Sequence, residues 1–421
     1  MIKKFYFSPN NFLFLIIPIT IILGPALSLI NIIIFCCFYL FKHFKKDHLK
    51  FFLKNKIIFL LFLFYMYLIL NTLISVDPSS GVYRNLGFIR FIILFIAINY
   101  FFFVKRYNYS LLRPWLFVFL IFVFDVYFER FFGTNLLGYG GETTYGPRVV
   151  SFFKDEPVAG AYLNGFMFLM FGYLYLILRN KSNLLKHISL VILTLLVISV
   201  FITGERSNTL KALLGFFIFL FFFYQVNFKF KFLFVILFVS FISLIFSQSD
   251  YLKSRYFGQL YDKMIIEEKR KDFFENNIYL SLYRSGFSIF ENNPYLGVGN
   301  KNYRVVTCDK NYGNNSEYVC NTHPHQLYFE LLSEHGIVGT ICILSILFYL
   351  TFKNLRKIID SKNYIQIGAF IYIITNFIPI IPSGSFFNDF NLTFFMLNFS
   401  LMYAVSSKTN IFENKPGPLA Q

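Results

Sequence analysis

The sequence predicts an all-α polytopic membrane protein, and three observations support that fold class. The chain of 421 residues is 56% hydrophobic and only 14% charged. Apolar runs long enough to cross a bilayer recur along the whole chain. Short polar or basic segments separate these runs, and one long polar region interrupts them late in the chain. This composition excludes an ordinary soluble enzyme.

We predict about twelve transmembrane helices, with the long polar region between the ninth and the tenth. The first two helices form a hairpin at Gly24-Pro25, although Ala26-Leu27-Ser28 also resembles the cleavage site of a signal peptide. The predicted spans are 11–23, 26–41, 57–75, 86–104, 114–128, 158–178, 188–203, 209–224, 232–247, 336–352, 364–382 and 391–405. The chain therefore divides into residues 1–247 with nine spans, a large and mainly helical loop at 248–335, and residues 336–421 with three spans and a tail.

The distribution of basic residues predicts the orientation of these helices. Cytoplasmic loops of membrane proteins are enriched in lysine and arginine. The basic segments are the N-terminus, 42–56, 105–113, 179–186, 225–231, 353–363 and the C-terminus. Both termini are then cytoplasmic, and the long loop is periplasmic in a bacterial inner membrane, as are the loops with Arg148 and Arg206. The net charge of +17 follows from this topology, so we predict the lipid bilayer and no nucleic acid as a partner.

Cys308 and Cys320 lie in the long loop, whereas the other three cysteines lie in apolar runs. An outward loop meets an oxidising compartment, where two nearby thiols form a disulfide. A ring of about a dozen residues would stabilise the loop by roughly 3 kcal/mol in the chain-entropy account. We predict this disulfide, with two free thiols as the alternative.

The stretch NTHPHQLYFELLSEHGIVGT, residues 321–340, holds a candidate base. Pro324 suits the first position of a helix, which would put His325 in the first turn. The helix dipole disfavours an imidazolium there, so the imidazole stays neutral and can accept a proton near pH 7. The alternative is that His323 and His325 merely cap a helix that enters the membrane.

Arginines on the outward side are candidate ligands of a diphosphate, because guanidiniums make planar, bidentate contacts with phosphate oxygens. Arg206 follows span seven beside Glu205, and Arg284 lies in the long loop before a Pro/Gly turn. Each could instead be a solvated or salt-bridged residue. The loop shows no clean spacing of metal ligands.

Several motifs together resemble the bacterial O-antigen ligase/polymerase superfamily. RSGFSIFENNPYLGVGNKNYR is similar to the "NPxxGxGxxxF/Y" turn of that family, and HPHQLYFELLSEHGIVGT is similar to its "HNxxLxxxxExG" motif. Residues 203–208 resemble the family's "S/T-R" turn at Arg206, and PRVVSFFKDEPVAGAYL resembles another outward segment with Arg148 and Glu156. The cysteine pair before His-Pro-His looks like one ligase branch. Gln326 departs from the usual asparagine.

The resemblance implies transfer of a glycan from an undecaprenyl-pyrophosphate-linked donor to an acceptor at the outer face of the membrane. The acceptor is a lipid A–core sugar in ligases and a second lipid-linked repeat in polymerases. His325 would be the general base of an inverting reaction, and Arg206 and Arg284 would bind the diphosphate, without a metal or other cofactor. Glu334 would orient the imidazole or cap a helix, and His323 is the alternative base. The remaining expected substrate-binding residues are Arg148, Glu156 and Arg304.

The sequence also fits other functions. We prefer a ligase over a polymerase, and a protein O-oligosaccharyltransferase is a related alternative. A secondary transporter would also have twelve spans with both ends inside. Transporters often contain two similar halves with polar breaks at the bilayer midplane. We find no such repeat, and the polar residues concentrate in one outward loop.

Overall fold

The computed structural model has only helices as regular secondary structure in the part of the chain that it describes, apart from one isolated bridge between Thr134 and Gly140. It describes residues 9–44, 51–52, 54–141, 147–154, 156–178, 182–224, 227–262, 265–266, 277–309, 312 and 315–413. Much of the predicted basic loops at 42–56 and 179–186 lies outside the described residues.

The described residues form eighteen α-helices. They are α1 Pro9–Leu15, α2 Ile17–Leu23, α3 Pro25–His43, α4 Lys56–Leu73, α5 Pro78–Gly87, α6 Ile89–Val104, α7 Arg113–Phe132, α8 Ala159–Leu178, α9 Asn183–Ile202, α10 Arg206–Ile218, α11 Phe228–Gln248, α12 Asp250–Lys253, α13 Ile278–Asn292, α14 Tyr303–Cys308, α15 Leu327–Phe352, α16 Leu355–Ser361, α17 Tyr364–Asn376 and α18 Asp389–Ala404. A π-helical turn, Ser254–Asp262, follows α12.

Eight helical segments of the described chain are long and apolar enough to cross a membrane, and two more apolar helices are shorter. The eight are Pro25–His43, Lys56–Leu73, Pro78–Val104, Tyr109–Phe132, Ala159–Leu178, Arg206–Phe223, Phe228–Gln248 and Leu327–Ser361. The protein is therefore a multi-pass helical membrane protein, as predicted. These helices support only part of the predicted number of about twelve spans.

The chain breaks at Gly24-Pro25, where the sequence predicts a hairpin. Gly24 has a φ of 123°, and Pro25 begins α3. The amide of Asn31 in α3 then donates to the carbonyl of Leu13 in α1 at 3.2 Å. The first predicted span, 11–23, is divided into two helices of 7 residues each, α1 and α2.

α17 ends earlier than the apolar pattern predicts. The predicted span 364–382 is helical only to Asn376, because Pro379 and Pro382 cannot continue a helix. The chain from 377 to 388 instead forms a loop before α18. This loop contacts the histidine segment, so the early end of α17 helps to form the candidate site.

The Pro/Gly turn after α13 packs against a break inside α15. Gly336 interrupts α15 with a φ of 62° and a ψ of −171°. The backbone N–H of Ile337 donates to the carbonyl of Pro294 at 2.8 Å, and that of Gly299 donates to the carbonyl of Glu334 at 2.9 Å. A Cβ on Gly336 would lie 2.4 Å from the backbone of Tyr295. This interlocked pair of turns fixes the long loop on α15 at the predicted boundary between residues 335 and 336.

Candidate active site

The His-Pro-His segment lies just before α15 and not in its first turn. The side chain of Gln326 accepts from the backbone N–H groups of Tyr328 at 2.7 Å and Phe329 at 3.0 Å. Gln326 is therefore the N-cap, which moves the first helical residue to Leu327. The prediction that Pro324 begins the helix is wrong for this reason.

His323 uses both of its ring nitrogens. The hydroxyl of Thr322 lies 2.9 Å from Nδ1, and the carbonyl of Ser383 lies 3.4 Å from Nε2. Burial, followed by the charge of Lys301, lowers the pKa of His323 to about 4. The ring is therefore neutral at pH 7, and its polar atoms are occupied by neighbouring groups.

His325 is half-buried, and its ring makes no hydrogen bond with any residue that the structure describes. Its ring centroid lies 4.0 Å from that of His323 and 5.9 Å from that of Tyr279, whose ring meets it at 83°. Burial, followed by His323, lowers the pKa of His325 to about 4, while Glu330 acts in the opposite direction. The imidazole is neutral at pH 7 as expected, but burial and not a helix terminus accounts for it.

The backbone at His325 adopts a conformation that residues with a Cβ rarely adopt. Its φ is 56°, and its carbonyl accepts from the N–H of Ser383 at 2.8 Å. Two other residues with a Cβ also have positive φ values. They are Lys301, in the turn after α13, at 66°, and Ile380, in the loop between α17 and α18, at 73°. Such strained residues concentrate at functional sites.

Three half-buried arginines from three separate segments interact electrostatically. Arg206 begins α10, Arg148 precedes the turn at Ser151–Phe153, and Arg255 lies in the π-helical turn. Burial, followed by the like charges of Arg148 and Arg206, lowers the pKa of Arg255. Neither Arg148 nor Arg206 forms a close ion pair with a carboxylate of the described chain.

Tyr279 connects the arginine group to the histidine. It lies on α13, its ring meets that of His325, and it is near enough to Arg206 and Arg255 to affect the pKa of each. The close approach of α13 depends on Gly286, because a Cβ there would lie 3.0 Å from the ring of Pro324. Tyr279 is therefore a shared neighbour of the base candidate and of two members of the cationic group.

Two buried carboxylates of α7 hold the segment that carries Arg148. Glu129 accepts from the N–H groups of Val150 at 2.9 Å and Ser151 at 2.5 Å. Asp125 accepts from the hydroxyl of Ser151 at 2.5 Å. The Nε of Arg148 is buried and has no hydrogen-bond partner in the described chain.

Glu205 faces the neighbouring helix and not the adjacent Arg206. Its carboxylate accepts from the N–H of Gly160 at 2.5 Å, near the start of α8, and from the amide of Asn208 at 2.7 Å. Burial raises the pKa of Glu205 to about 7, although these hydrogen bonds and Arg148 oppose the change. The possible ion pair with Arg206 is therefore replaced by a contact that fixes the Arg206 turn on α8.

The other expected site residues are exposed or have structural contacts. The side chains of Arg284, Arg304 and Glu156 are exposed on the surface. Glu334 is buried, and its Oε1 accepts from the N–H of Tyr303 at the start of α14 at 3.3 Å. Cys308 and Cys320 form the predicted disulfide, with their Cα atoms 4.6 Å apart.

Sequence reasoning missed five residues that the structure brings to the site. They are Arg255, Tyr279, Lys301, Glu330 and Ser385. Glu330 lies within the recognised motif and could have been noticed as a carboxylate in the first turn of a helix. Lys301 lies within the recognised Pro/Gly motif. Arg255, Tyr279 and Ser385 carry no local signal, because their roles depend on which segments meet in space.

Comparisons with known proteins give one family match. No curated protein matches this chain. Residues 188–344, which contain Arg206, Arg255 and both histidines, match the family model described as O-antigen ligase. This match confirms that the chain resembles the O-antigen ligase/polymerase superfamily, through a segment that spans from α9 into α15.

Proposed function

We propose that this protein is a glycosyltransferase that moves a glycan from undecaprenyl pyrophosphate to a lipid A–core sugar at the periplasmic face of the bacterial inner membrane. One observation carries the proposal: a neutral, half-buried imidazole lies against Tyr279, and the same tyrosine is a neighbour of Arg206 and Arg255 in a group of three arginines. A base beside an anion-binding group is what transfer from a diphosphate requires. Polymerisation of lipid-linked repeats is the second candidate, and it would use the same chemistry.

His325 is the proposed general base. Its ring is half-buried and makes no hydrogen bond within the described chain, whereas both nitrogens of His323 already have partners. A base must reach the proton that it removes, so His325 suits this role better than His323. His323 then supports the neighbouring ring.

Arg206, Arg148 and Arg255 are the proposed ligands of the diphosphate. Their positive charge is concentrated where the leaving group would gain negative charge, which lowers the barrier to its departure. Arg284 was expected in this group, but its exposed position on α13 favours contact with a more distal, polar part of a substrate. We propose the same role for Arg304 and Glu156.

The bond changes follow from these assignments. The hydroxyl of the acceptor sugar gives its proton to His325 as its oxygen attacks the anomeric carbon of the donor. The bond between that carbon and the diphosphate oxygen breaks, and the electron pair leaves with undecaprenyl pyrophosphate. Attack opposite the leaving group inverts the anomeric centre. The diphosphate leaves as an anion, so it needs neutralising charge and no proton.

The test uses purified full-length protein with an undecaprenyl-pyrophosphate glycan and two competing acceptors, lipid A–core and a second lipid-linked repeat. The wild type is compared with His325→Ala and His323→Ala, with no ion gradient present. Glycan should appear on lipid A–core, and His325→Ala should reduce the rate by about 100-fold or more, as expected for loss of a general base. The effect of His323→Ala should be smaller.

Each other outcome points to a different function. Chains that lengthen while attached to undecaprenyl pyrophosphate would identify a polymerase with the same base. Equal rates for the wild type and His325→Ala would remove His325 as the base. Use of neither acceptor would contradict the transferase, and a pilin-like polypeptide and a transport assay would then separate the protein transferase from the transporter.

A further inference from the structure

Behind the two histidines, a chain of polar contacts joins three segments that are distant in sequence. The ammonium of Lys301 donates to the hydroxyl of Ser385, and this hydroxyl donates to Oε1 of Glu330 at 2.5 Å. The N–H of Phe386 donates to Oε2 of the same carboxylate at 2.9 Å. Glu330 is completely buried, so protein groups alone fix its position.

This chain of contacts also fixes the loop that holds the histidines. The loop between α17 and α18 supplies Ser383, whose N–H donates to the carbonyl of His325 and whose carbonyl lies against His323. Two residues later, Ser385 and Phe386 are held by Glu330. Glu330 is therefore linked to both histidines through a single short stretch of backbone.

The two histidines experience opposite charges from this arrangement. Lys301 acts on His323 and disfavours its charged form, whereas Glu330 acts on His325 and favours its charged form. The other groups that face His325 are the neutral ring of His323 and the phenol of Tyr279. The Lys301–Ser385–Glu330 chain thus makes two adjacent and chemically identical side chains different from each other.

We propose that Glu330 is a positioning residue that selects His325 as the base and stabilises the imidazolium formed when His325 accepts the acceptor's proton. This inference rests on the proposed function. Glu330 acts through the loop that holds His325 and touches no substrate. Its negative charge offsets the positive charge that develops on His325, while burial and the charge of Lys301 disfavour the same change on His323.

The test is the pH dependence of kcat in Glu330→Gln, with Glu291→Gln as the matched control on the exposed face of α13. Removal of the charge should lower kcat about tenfold, the effect of one pKa unit, and leave the KM for the donor unchanged. The acidic limb of the profile should move to lower pH, because His325 then binds its proton less tightly. A purely structural role would not move that limb.

His325→Ala in the same assay separates this inference from the proposed function. If His325→Ala is inactive and Glu330→Gln keeps the wild-type kcat and pH profile, the role of Glu330 is wrong and the base assignment stands. If His325→Ala is fully active, the proposed base itself fails. Should Glu330→Gln not fold, Glu330→Asp retains the charge and should recover much of kcat with the wild-type acidic limb; a displaced limb would overturn the inference.

Discussion

At the scale of single residues, Arg255 adds a third positive charge to Arg148 and Arg206. Its Nε donates to the carbonyl of Gly204 at 3.2 Å, which fixes the guanidinium beside the Arg206 turn. Its charge acts on the same group of side chains as that of Arg206, although Arg255 lies outside the recognised motifs. The two arginines should therefore matter to a similar extent.

We expect Arg255→Ala to reduce transferase activity by about 100-fold, the usual effect of removing one group that stabilises developing negative charge. Arg113→Ala is the matched control, because Arg113 is exposed and is the first residue of α7, whereas Arg130 lies near its last residue. Initial rates with saturating donor check the prediction. Equal activity of the two variants would remove Arg255 from the diphosphate site.

The raised pKa of Glu205 predicts that the stability of the protein depends on pH. An unfolded glutamate titrates near 4.5, whereas burial raises the pKa of Glu205 to about 7 in the folded protein. The folded state then binds this proton more tightly, so stability falls as the pH rises from about 4.5 to about 7. Glu205→Gln removes this titration.

The melting temperature of Glu205→Gln in detergent should exceed that of the wild type at pH 8, and the two should converge near pH 5. The glutamine can still accept from the N–H of Gly160, so the contact with α8 is retained. Melting curves between pH 5 and pH 8 provide the measurement. A difference that stays constant over this range would show that Glu205 does not titrate there.

At the scale of secondary-structure elements, the break in α15 depends on a glycine. A Cβ on Gly336 would meet the backbone of Tyr295 at 2.4 Å, and its φ of 62° is strained for any other residue. Gly138 offers a control, since its φ is 82° but a Cβ there would meet nothing within 4 Å. The two positions share backbone strain and differ in steric contact.

We expect Gly138→Ala to destabilise the protein by about 1–2 kcal/mol, the cost of the left-handed conformation. Gly336→Ala should destabilise it considerably more, because the turn after α13 must also move away. Melting temperatures of both variants, together with transferase activity, check this prediction. Similar melting temperatures would mean that the two turns are not interlocked.

The sequence could predict elements whose signals are local. Gly24-Pro25 marks a helix break by its own stereochemistry, and Cys308 and Cys320 needed only a shared compartment. The start of α15 could not be predicted as reliably, because Pro324 and the capping amide of Gln326 compete for the same helix terminus. The end of α17 was missed because the hydropathy of residues 377–382 hid the effect of two prolines.

The site was predictable only where a motif or a titratable residue was visible in the chain. His325 and Arg206 have such signals, and both are neighbours of Tyr279. Arg255 and Ser385 do not, since a π-helical turn and a loop between two late helices bring them to the site. Their importance comes from tertiary packing, which a single sequence does not encode locally.

At the scale of the whole molecule, the topology is the remaining prediction. The basic loops predict that α16 lies in the cytoplasm and that α13 lies in the periplasm. Cysteines at exposed positions test both sides in a variant that lacks Cys36, Cys37 and Cys342; the disulfide protects the other two cysteines. Glu291→Cys in α13 and Lys357→Cys in α16 are suitable positions.

A membrane-impermeant maleimide should label Glu291→Cys in spheroplasts, and it should label Lys357→Cys only after lysis. Labelling of both sites in lysed cells controls for reactivity. The reverse pattern would place the histidines and arginines in the cytoplasm. It would contradict a periplasmic transferase, whatever its acceptor.

The loop between α17 and α18 also has a consequence for biosynthesis. A ribosome delivers Arg148, Arg206 and both histidines to the membrane long before it translates Ser383 and Ser385. A nascent chain that has inserted only as far as α15 therefore has its reacting groups without the backbone that holds them. On the proposed mechanism, the enzyme begins to turn over donor only after its last hairpin has inserted, so an incompletely translated chain would consume no lipid-linked glycan.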